Sequence, residues 1–431
     1  MKLFGTVKNG KCRTSYFFGI KVYERLRNNA TESTYILGIR IQKKSLHKPS
    51  TKLDTAELKI LTLGLYYKDL PKEERPILCF DHLAYPYAEA IDAWTFFQYL
   101  QSQGIPSIYV IREENPLFQK LQAENRLKDI ISVKSELQFL QNYPHIIAQS
   151  RAILSSFALD ISEICKILPS TKYIFIEHGV SFLIESALEL YSPSRFDGML
   201  VPTRLTKQVY EQRGSETPAC PHYCVGFPRW DKLAPAQKKG GTKKIFIFFT
   251  WREALSKNKT FIDLYTSRIQ SFIKRLRGQF ANKPDIQIQV SLHHVLLDRG
   301  IAVNKDKLFE GVQLVPVSEI SQMIREADLC ITDFSSISFD FLYRNVPVIY
   351  YCFDADIQYT EKHDQMQSSI AKIKQELYNY CDDEDAAVDK ALYYADRDFE
   401  LEPEYVQKNN SIFWQHGKNC ETFWQLLKNK L

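Results

Sequence analysis

Short apolar runs recur along most of the chain, separated by longer stretches in which apolar residues return at helical spacing. Ile77–Phe80, Ile105–Ile111, Ile146–Ala148, Ala152–Leu154, Tyr173–Ile176 and Met199–Val201 are the strand-like runs of the first half. Such runs alternating with amphipathic segments predict a parallel sheet wrapped by helices. The second half repeats the plan. Ile245–Phe249, Ile286–Val290, Gln313–Val315, Leu329–Ile331 and Val346–Tyr350 read as strands there, with helical stretches near 259–277, 318–326 and 336–344. Ala234 to Thr242, polar and carrying Gly240-Gly241, reads as the linker between the halves. The expected class is α/β, two doubly wound Rossmann-like domains facing a cleft.

The first sixty residues follow another pattern. Tyr16-Phe-Phe-Gly19-Ile20-Lys21-Val22 is echoed nineteen residues later by Tyr35-Ile-Leu-Gly38-Ile39-Arg40-Ile41, and two β-prone runs with a polar stretch between them predict a hairpin. Residues 1–52 hold twelve Lys and Arg against Glu24 and Glu32, 12 − 2 = +10. With a whole-chain charge of +5, the remainder carries 5 − 10 = −5. A basic arm on a mildly acidic body implies an anionic partner, phospholipid headgroups or nucleic acid. The arm reads equally as a structural flap or as a basic patch for a membrane surface. The expected boundaries are 1–60 for the basic extension, 61–233 and 243–370 for the two domains, and 371–431 for a C-terminal helical segment.

Composition narrows the class. Of 431 residues, 45% are hydrophobic and 25% charged, which is globular rather than disordered or fibrous. No window approaches the ~18–20 uninterrupted apolar residues of a spanning helix, and the N-terminus lacks a signal-peptide core, so a cytosolic protein is expected. Nine scattered cysteines fit reduced thiols. Cys220-Pro-His222-Tyr-Cys224 is the one local group of soft ligands, but no second ligand pair accompanies it, and no metal is expected.

In doubly wound sheets ligands bind beyond the carboxyl ends of the strands, so the residues just after each apolar run are the candidates. Four constellations stand there. Tyr173-Ile-Phe-Ile-Glu177-His178-Gly179 delivers a histidine able to take a proton from a hydroxyl, and a glycine that lets backbone approach a ligand. Ile331-Thr332-Asp333-Phe334-Ser335-Ser336 ends a strand with serines at a predicted helix start, where free N–H groups and hydroxyls suit phosphate. Helix capping would explain one serine; a pair plus Thr332 exceeds it. Thr250-Trp251-Arg252 offers a hydroxyl and a guanidinium that can grip phosphate. Ser291-Leu-His293-His294 brings two more titratable rings.

Together with Gly226-Phe-Pro-Arg229-Trp-Asp231, these motifs resemble the CDP-glycerol glycerophosphotransferase family, which includes wall teichoic acid and related capsule polymerases. The resemblance covers about residues 75–355 and is densest from Ile331 to Asp340, followed by Val346-Pro-Val-Ile-Tyr-Tyr351. It implies a GT-B-like fold, with a CDP-polyol donor on the second domain and the acceptor on the first. It makes His178 the base and His293, rather than His294, the second catalytic histidine. Thr250, Arg252, Thr332, Ser335 and Ser336 fall on the donor's phosphates, with Gly179, Arg229 and Asp333 in support. Asp333 orients the loop rather than meeting phosphate. After the histidine-glycine pair the known polymerases read threonine, proline, leucine, lysine; this chain has Val180-Ser-Phe-Leu183. They also carry an arginine-glycine-phenylalanine-tyrosine-like stretch where this chain reads Thr360-Glu-Lys-His363-Asp-Gln.

The expected reaction is attack of an acceptor hydroxyl, deprotonated by His178, on the β-phosphorus of the CDP-polyol with loss of CMP. No cofactor or metal is called for; Asp354-Ala-Asp356 only superficially resembles a metal motif. The rivals are a glycosyltransferase of the same architecture using a sugar nucleotide, and a non-catalytic binding module. Nucleic acid is not the expected partner, because no RNA- or DNA-reading motif accompanies the basic arm.

Overall fold

A computed structural model describes residues 4–9, 12–17, 20–27, 31–36, 39–45, 60, 62–65, 67–81, 92–156, 168, 170–183, 196–213, 220–235, 240–250, 252, 259–293, 311–316, 319–357 and 363–431. Trp251, His294, the linker residues 236–239 and residues 360–362 lie outside the described residues. Three sheets organise the chain.

The first sheet is an antiparallel meander of five strands: β1 (Phe4–Asn9), β2 (Cys12–Phe17), β3 (Ile20–Arg27), β4 (Thr31–Ile36) and β5 (Ile39–Ser45). The sequence echo has a structural meaning that differs from the predicted single hairpin. Register shifts after Ser15 and again after Thr34, and pairing then resumes as Tyr16↔Lys21 and Phe17↔Ile20 in one case, Tyr35↔Arg40 and Ile36↔Ile39 in the other. Each echoed run therefore spans two strands and the connection between them. The repeat is of a bulged hairpin, with Val22 and Ile41 the extra residues.

The second sheet has seven strands in the order β12-β11-β10-β9-β6-β7-β8. They are β6 (Ile77–Phe80), β7 (Ser107–Arg112), β8 (Ile130–Val133), β9 (Ala152–Ser155), β10 (Lys172–Phe175), β11 (Gly198–Val201) and β12 (His222–Cys224), all paired in parallel. Helices α1 (Asp92–Ser102), α2 (Pro116–Ala123), α3 (Glu136–Asn142), α4 (Pro144–Gln149) and α5 (Arg204–Arg213) join them. Most strands sit where the apolar runs predict. Ile146–Ala148 does not: it belongs to α4, which opens on Pro144 and buries Ile147 and Ala148 in the core. A short apolar run satisfies a buried helix turn as well as a strand, and here the proline fixed the helical φ.

The third sheet has the order β15-β14-β13-β16-β17-β18. Its strands are β13 (Lys243–Phe249), β14 (Ile286–Leu292), β15 (Gln313–Leu314), β16 (Leu329–Thr332), β17 (Val348–Tyr351) and β18 (Tyr380–Cys381), again parallel. Around it lie α6 (Lys259–Phe280), α7 (Ile320–Glu326), α8 (Ser338–Tyr343), α9 (His363–Glu376) and α10 (Glu384–Ala395), followed by α11 (Pro403–Ile412) and α12 (Asn419–Lys428). The stretch after 370, expected to be helical, thus supplies β18 to this sheet.

The last two helices cross back to the second sheet. Trp414 Nε1 donates to the Val201 carbonyl at 2.8 Å, and Phe423 of α12 packs on Phe96 of α1 at 4.8 Å between ring centroids. One apolar core consequently runs from α1 through Phe227 and Trp230 to Phe246 and Phe341. Trp230 is fully buried, stacked on Tyr343 at 4.7 Å and edge-on to Phe413 at 5.0 Å. Burying a ring of this size stabilises by roughly 2–3 kcal/mol, so the two sheets are held as a pair.

Candidate active site

At the seam, the carboxyl ends of three neighbouring strands of the second sheet bring together Asp81, Ser156 and His178. β6, β9 and β10 pair Phe80 with Ser155 and Ser155 with Phe175. Beyond Phe175 the backbone turns at Glu177, whose φ of 49° is left-handed and costs a β-carbon-bearing residue about 1 kcal/mol. The turn sends the Glu177 side chain inward, where Oε1 accepts from the Tyr210 hydroxyl at 2.6 Å, and leaves His178 exposed. Burial pushes the Glu177 carboxyl up to about 7, against the hydrogen bond from Tyr210. His178 Nδ1 lies 3.0 Å from the Ser156 carbonyl. A carbonyl only accepts, so in the neutral ring Nδ1 carries the proton and the basic lone pair sits on Nε2.

Ser156 is fixed in turn. Its hydroxyl donates to Asp81 Oδ1 at 3.1 Å, and Asp81 also accepts from Tyr109 OH at 2.8 Å, Ala93 N at 3.1 Å and Trp94 N at 2.9 Å. Burial pushes the Asp81 pKa up while these four donors pull it down.

On the third sheet, β14, β13 and β16 are neighbours, which sets His293, Thr250 and Asp333 side by side at their carboxyl ends. Asp333 is fully buried and accepts from Thr250 N at 3.0 Å and Thr250 Oγ1 at 2.8 Å, so it joins the two strand-end loops. Arg252 is also buried. Its Nε and Nη2 meet the two oxygens of Asp354 at 2.8 and 2.7 Å, and Nη1 meets Asp333 at 2.9 Å and the Thr250 carbonyl at 2.7 Å. Burial alone would lower the guanidinium's pKa, but Asp354 and Asp333 raise it well above its ordinary value. Arg252, expected at the donor's phosphates, thus ties loops together through all three of its nitrogens. Thr332, expected there too, donates its hydroxyl to the Phe248 carbonyl at 2.5 Å and is fully buried. Partly buried His293 lies against the Phe248 ring, 6.1 Å between centroids.

Ser335 and Ser336 precede a helix that begins only at Ser338 and runs six residues. The dipole of so short a helix is slight, and Ser335 Oγ partly serves as a cap, accepting weakly from Ile337 N at 3.4 Å. Ser336 reaches across the seam: a β-carbon on Gly179 would stand 2.5 Å from its Oγ. A side chain at 179 would displace Ser336, and the glycine lets the histidine loop lie against the serine loop. Ser369 of α9 donates to the Leu183 carbonyl at 2.5 Å and Lys372 to the Phe182 carbonyl at 2.8 Å, holding the same loop from the third-sheet side.

A second tie lies beneath. Arg229 donates Nε to Asp340 of α8 at 2.8 Å, and its Nη1 pairs with Asp92 at the start of α1. Trp230 Nε1 adds a 2.6 Å bond to Asp340. The Asp92 carboxyl is pushed up to about 7 by burial in spite of Arg229, and the two acids overcome burial to keep Arg229 charged. Asp81, Ser156 and Asp92 escaped the reading of motifs, while Asp340 and Asp354 lay in quoted stretches without being given these roles. Asp81 directly follows an apolar run and Ser156 stands two residues beyond one, so the strand-end rule could have found them; nothing local distinguishes Asp92.

A cavity of about 560 Å³ opens beyond β17 and β18, lined by Arg268, Tyr351, Asp356, Tyr380, Asp383 and Glu384 among others. Its arginine is committed to Asp356 and the Phe353 carbonyl and its other charges are acidic, which suits phosphate poorly. Among the described residues no group of His, Cys, Asp and Glu is arranged to hold a metal ion. His222 faces Lys207 at 3.2 Å, and burial pushes the Cys220 thiol up to about 11. Cys79, Cys220, Cys224, Cys330, Cys352, Cys381 and Cys420 are free thiols.

The family model for CDP-glycerol:poly(glycerophosphate) glycerophosphotransferase matches residues 120–380, well over half of the chain. The chain belongs to this family. It is 22% identical over 335 residues to the minor teichoic acid biosynthesis protein GgaB of Bacillus subtilis (strain 168), covering 74% of this chain and 36% of GgaB. It thus spans about a third of that relative's length. Among solved structures, the wall teichoic acid polymerase TagF superposes with a TM-score of 0.55 at 14% identity, over 89% of this chain and 98% of that one. A TagF variant soaked with CDPG gives 0.57 at the same identity and coverage. A structure described as a UDP-N-acetylglucosamine 2-epimerase from Listeria monocytogenes gives 0.50 at 15% identity, over 83% of this chain and 96% of that one. The glycerophosphotransferase-family member is thus α/β and GT-B-like, from a family of transferases. No helix among the described residues is long and apolar enough to cross a membrane.

Proposed function

We propose that the chain transfers a polyol-phosphate, glycerol-phosphate or ribitol-phosphate, from a CDP-polyol to a hydroxyl of a teichoic-acid or capsule-type surface polymer, releasing CMP. The observation that carries this reading is the closure of the His178-Gly179 loop onto Ser336, which sets a histidine with its lone pair on Nε2 beside a hydroxyl-bearing loop. The acceptor oxygen attacks the β-phosphorus, its proton passes to His178 Nε2, and the bond from that phosphorus to the oxygen of CMP breaks. Ser335, Ser336 and His293 donate to the transferring phosphoryl; Arg252 contributes by holding Thr250 and Asp333 in place. The scheme needs no metal, and Asp354 and Asp356 are engaged by Arg252 and Arg268. CDP-glycerol, CDP-ribitol and a panel of sugar nucleotides, read by release of CMP, test the reading. CMP from a CDP-polyol is expected; nucleoside diphosphate from a sugar nucleotide instead would make the chain a glycosyltransferase.

The acceptor is read as lipid-linked, with the protein peripheral on the inner face of the membrane. The +10 charge of residues 1–52 supports an anionic surface for the arm, and lipid phosphates would contribute about 1 kcal/mol for each cation that reaches them. Deleting residues 1–52 should abolish binding to anionic liposomes and spare transfer to a short soluble acceptor. An intact protein that ignores such liposomes at low salt would return the arm to a structural flap.

A further inference from the structure

We infer that Asp81 is the positioning residue for His178, acting through Ser156 to fix the ring and its tautomer, an inference that rests on His178 being the base. Four separate elements converge on this one carboxylate: β6 carries it, β7 brings Tyr109, the turn after β9 brings Ser156, and α1 brings two N–H groups. The two helix bonds satisfy donors that every helix start must satisfy. The Ser156 bond is not of that kind. It fixes the residue whose carbonyl takes the His178 Nδ1 proton, itself braced by Ser156 N on the Phe80 carbonyl at 3.3 Å and Ile176 N on the Ser155 carbonyl at 2.9 Å. Asp81 thereby decides which way the imidazole points and which nitrogen is basic.

The same carboxylate reaches the seam by a second route. By holding Ala93 N and Trp94 N it sets the first turn of α1, whose Asp92 pairs with Arg229, which in turn grips Asp340 two residues into the helix after the serine loop. Ser336 then touches Gly179, and the ring of contacts closes. Base and serine loop are referred to one buried group, so a displacement at Asp81 moves the lone pair relative to the phosphorus. A misplacement of about 1 Å costs on the order of 10²-fold in rate.

The test uses the full chain with CDP-glycerol. Asp81→Asn keeps the shape but sets an NH2 group against two of the four donors, and kcat should fall about 10- to 100-fold with KM for the donor changing less than about threefold. Ser156→Ala leaves the grip on α1 intact and should lower kcat in the same sense, so it carries the test if Asp81→Asn fails to fold. Nitrogen-15 spectra of His178 should show the Nδ1-protonated tautomer dominant in the parent and diminished in both variants. A lowered melting temperature with kcat and tautomer unchanged would make Asp81 a fold residue only and overturn the inference. A changed tautomer with unchanged kcat would uphold the positioning and instead remove His178 from the chemistry, as normal turnover of His178→Ala would.

Discussion

The two strand-end clusters that meet at the seam solve the same problem by opposite means. On the second sheet a single buried carboxylate, Asp81, gathers four neutral donors and leaves an exposed histidine oriented toward the seam. On the third sheet one guanidinium, Arg252, is shared between two carboxylates, Asp333 and Asp354, all buried. In the proposed mechanism the first arrangement positions a group that changes its protonation, and its supports are hydrogen bonds rather than opposite charges. The second would serve as a rigid floor beneath the donor. A basic residue at a strand end would then matter to the ligand without touching it.

Removing the cation should break that contrast most severely. Arg252→Ala strands two buried carboxylates, and a loss of about 3–5 kcal/mol in urea unfolding is expected. A loss under about 1 kcal/mol would mean that the triad is dispensable. On the other cluster the effect should fall on rate instead: His178→Ala is expected to lower kcat by at least about 10²-fold while stability changes by less than about 1 kcal/mol. Turnover near the parent's with saturating acceptor would remove the base from this side.

A pH titration sharpens the difference further, because Glu177, next to the histidine, is an acid raised by burial without a cation beside it to offset the shift. Glu177 keeps its proton up to about 7 in the folded chain against an ordinary 4.5. The folded state therefore binds the proton more tightly, and this contribution is whole below about 4.5 and lost as pH rises through 7, on the order of 3 kcal/mol. Glu177→Gln should flatten that slope, raising stability at pH 8 relative to the parent; equal slopes in the two proteins would contradict the assigned shift. The smallest effect is expected where the two clusters touch. Ser335→Ala with Ser336→Ala should weaken CDP-glycerol binding in calorimetry by about 1–2 kcal/mol, the net worth of neutral donors to a charged group. Unchanged affinity would leave those serines a capping role.

Periodicity carried much of this architecture by itself. Ile77–Phe80 is a strand with the bounds its apolar run predicts, and His178, Thr250, Asp333 and His293 all stand just beyond strand ends. Strand and helix patterning is local, so a single sequence displays it. Where the pattern was too short it misled, as at Ile146–Ala148, which Pro144 started as a helix. The echo of Tyr16–Val22 in Tyr35–Ile41 was visible too, but that each copy bends into two strands around a bulge emerged only from the pairing register.

Partner choice was decided by the tertiary structure alone. The partners of Arg252 are not legible along the chain; Asp354 stands 102 residues away, and Arg229 meets acids 137 residues before it and 111 after. Thr332 likewise reads as a free hydroxyl until β13 lies beside β16 and takes it. A charge or hydroxyl looks the same in sequence whether it will face a ligand or a neighbouring strand. Only the packing of one sheet against another fixes which groups are desolvated together, and desolvation sets what each can still do.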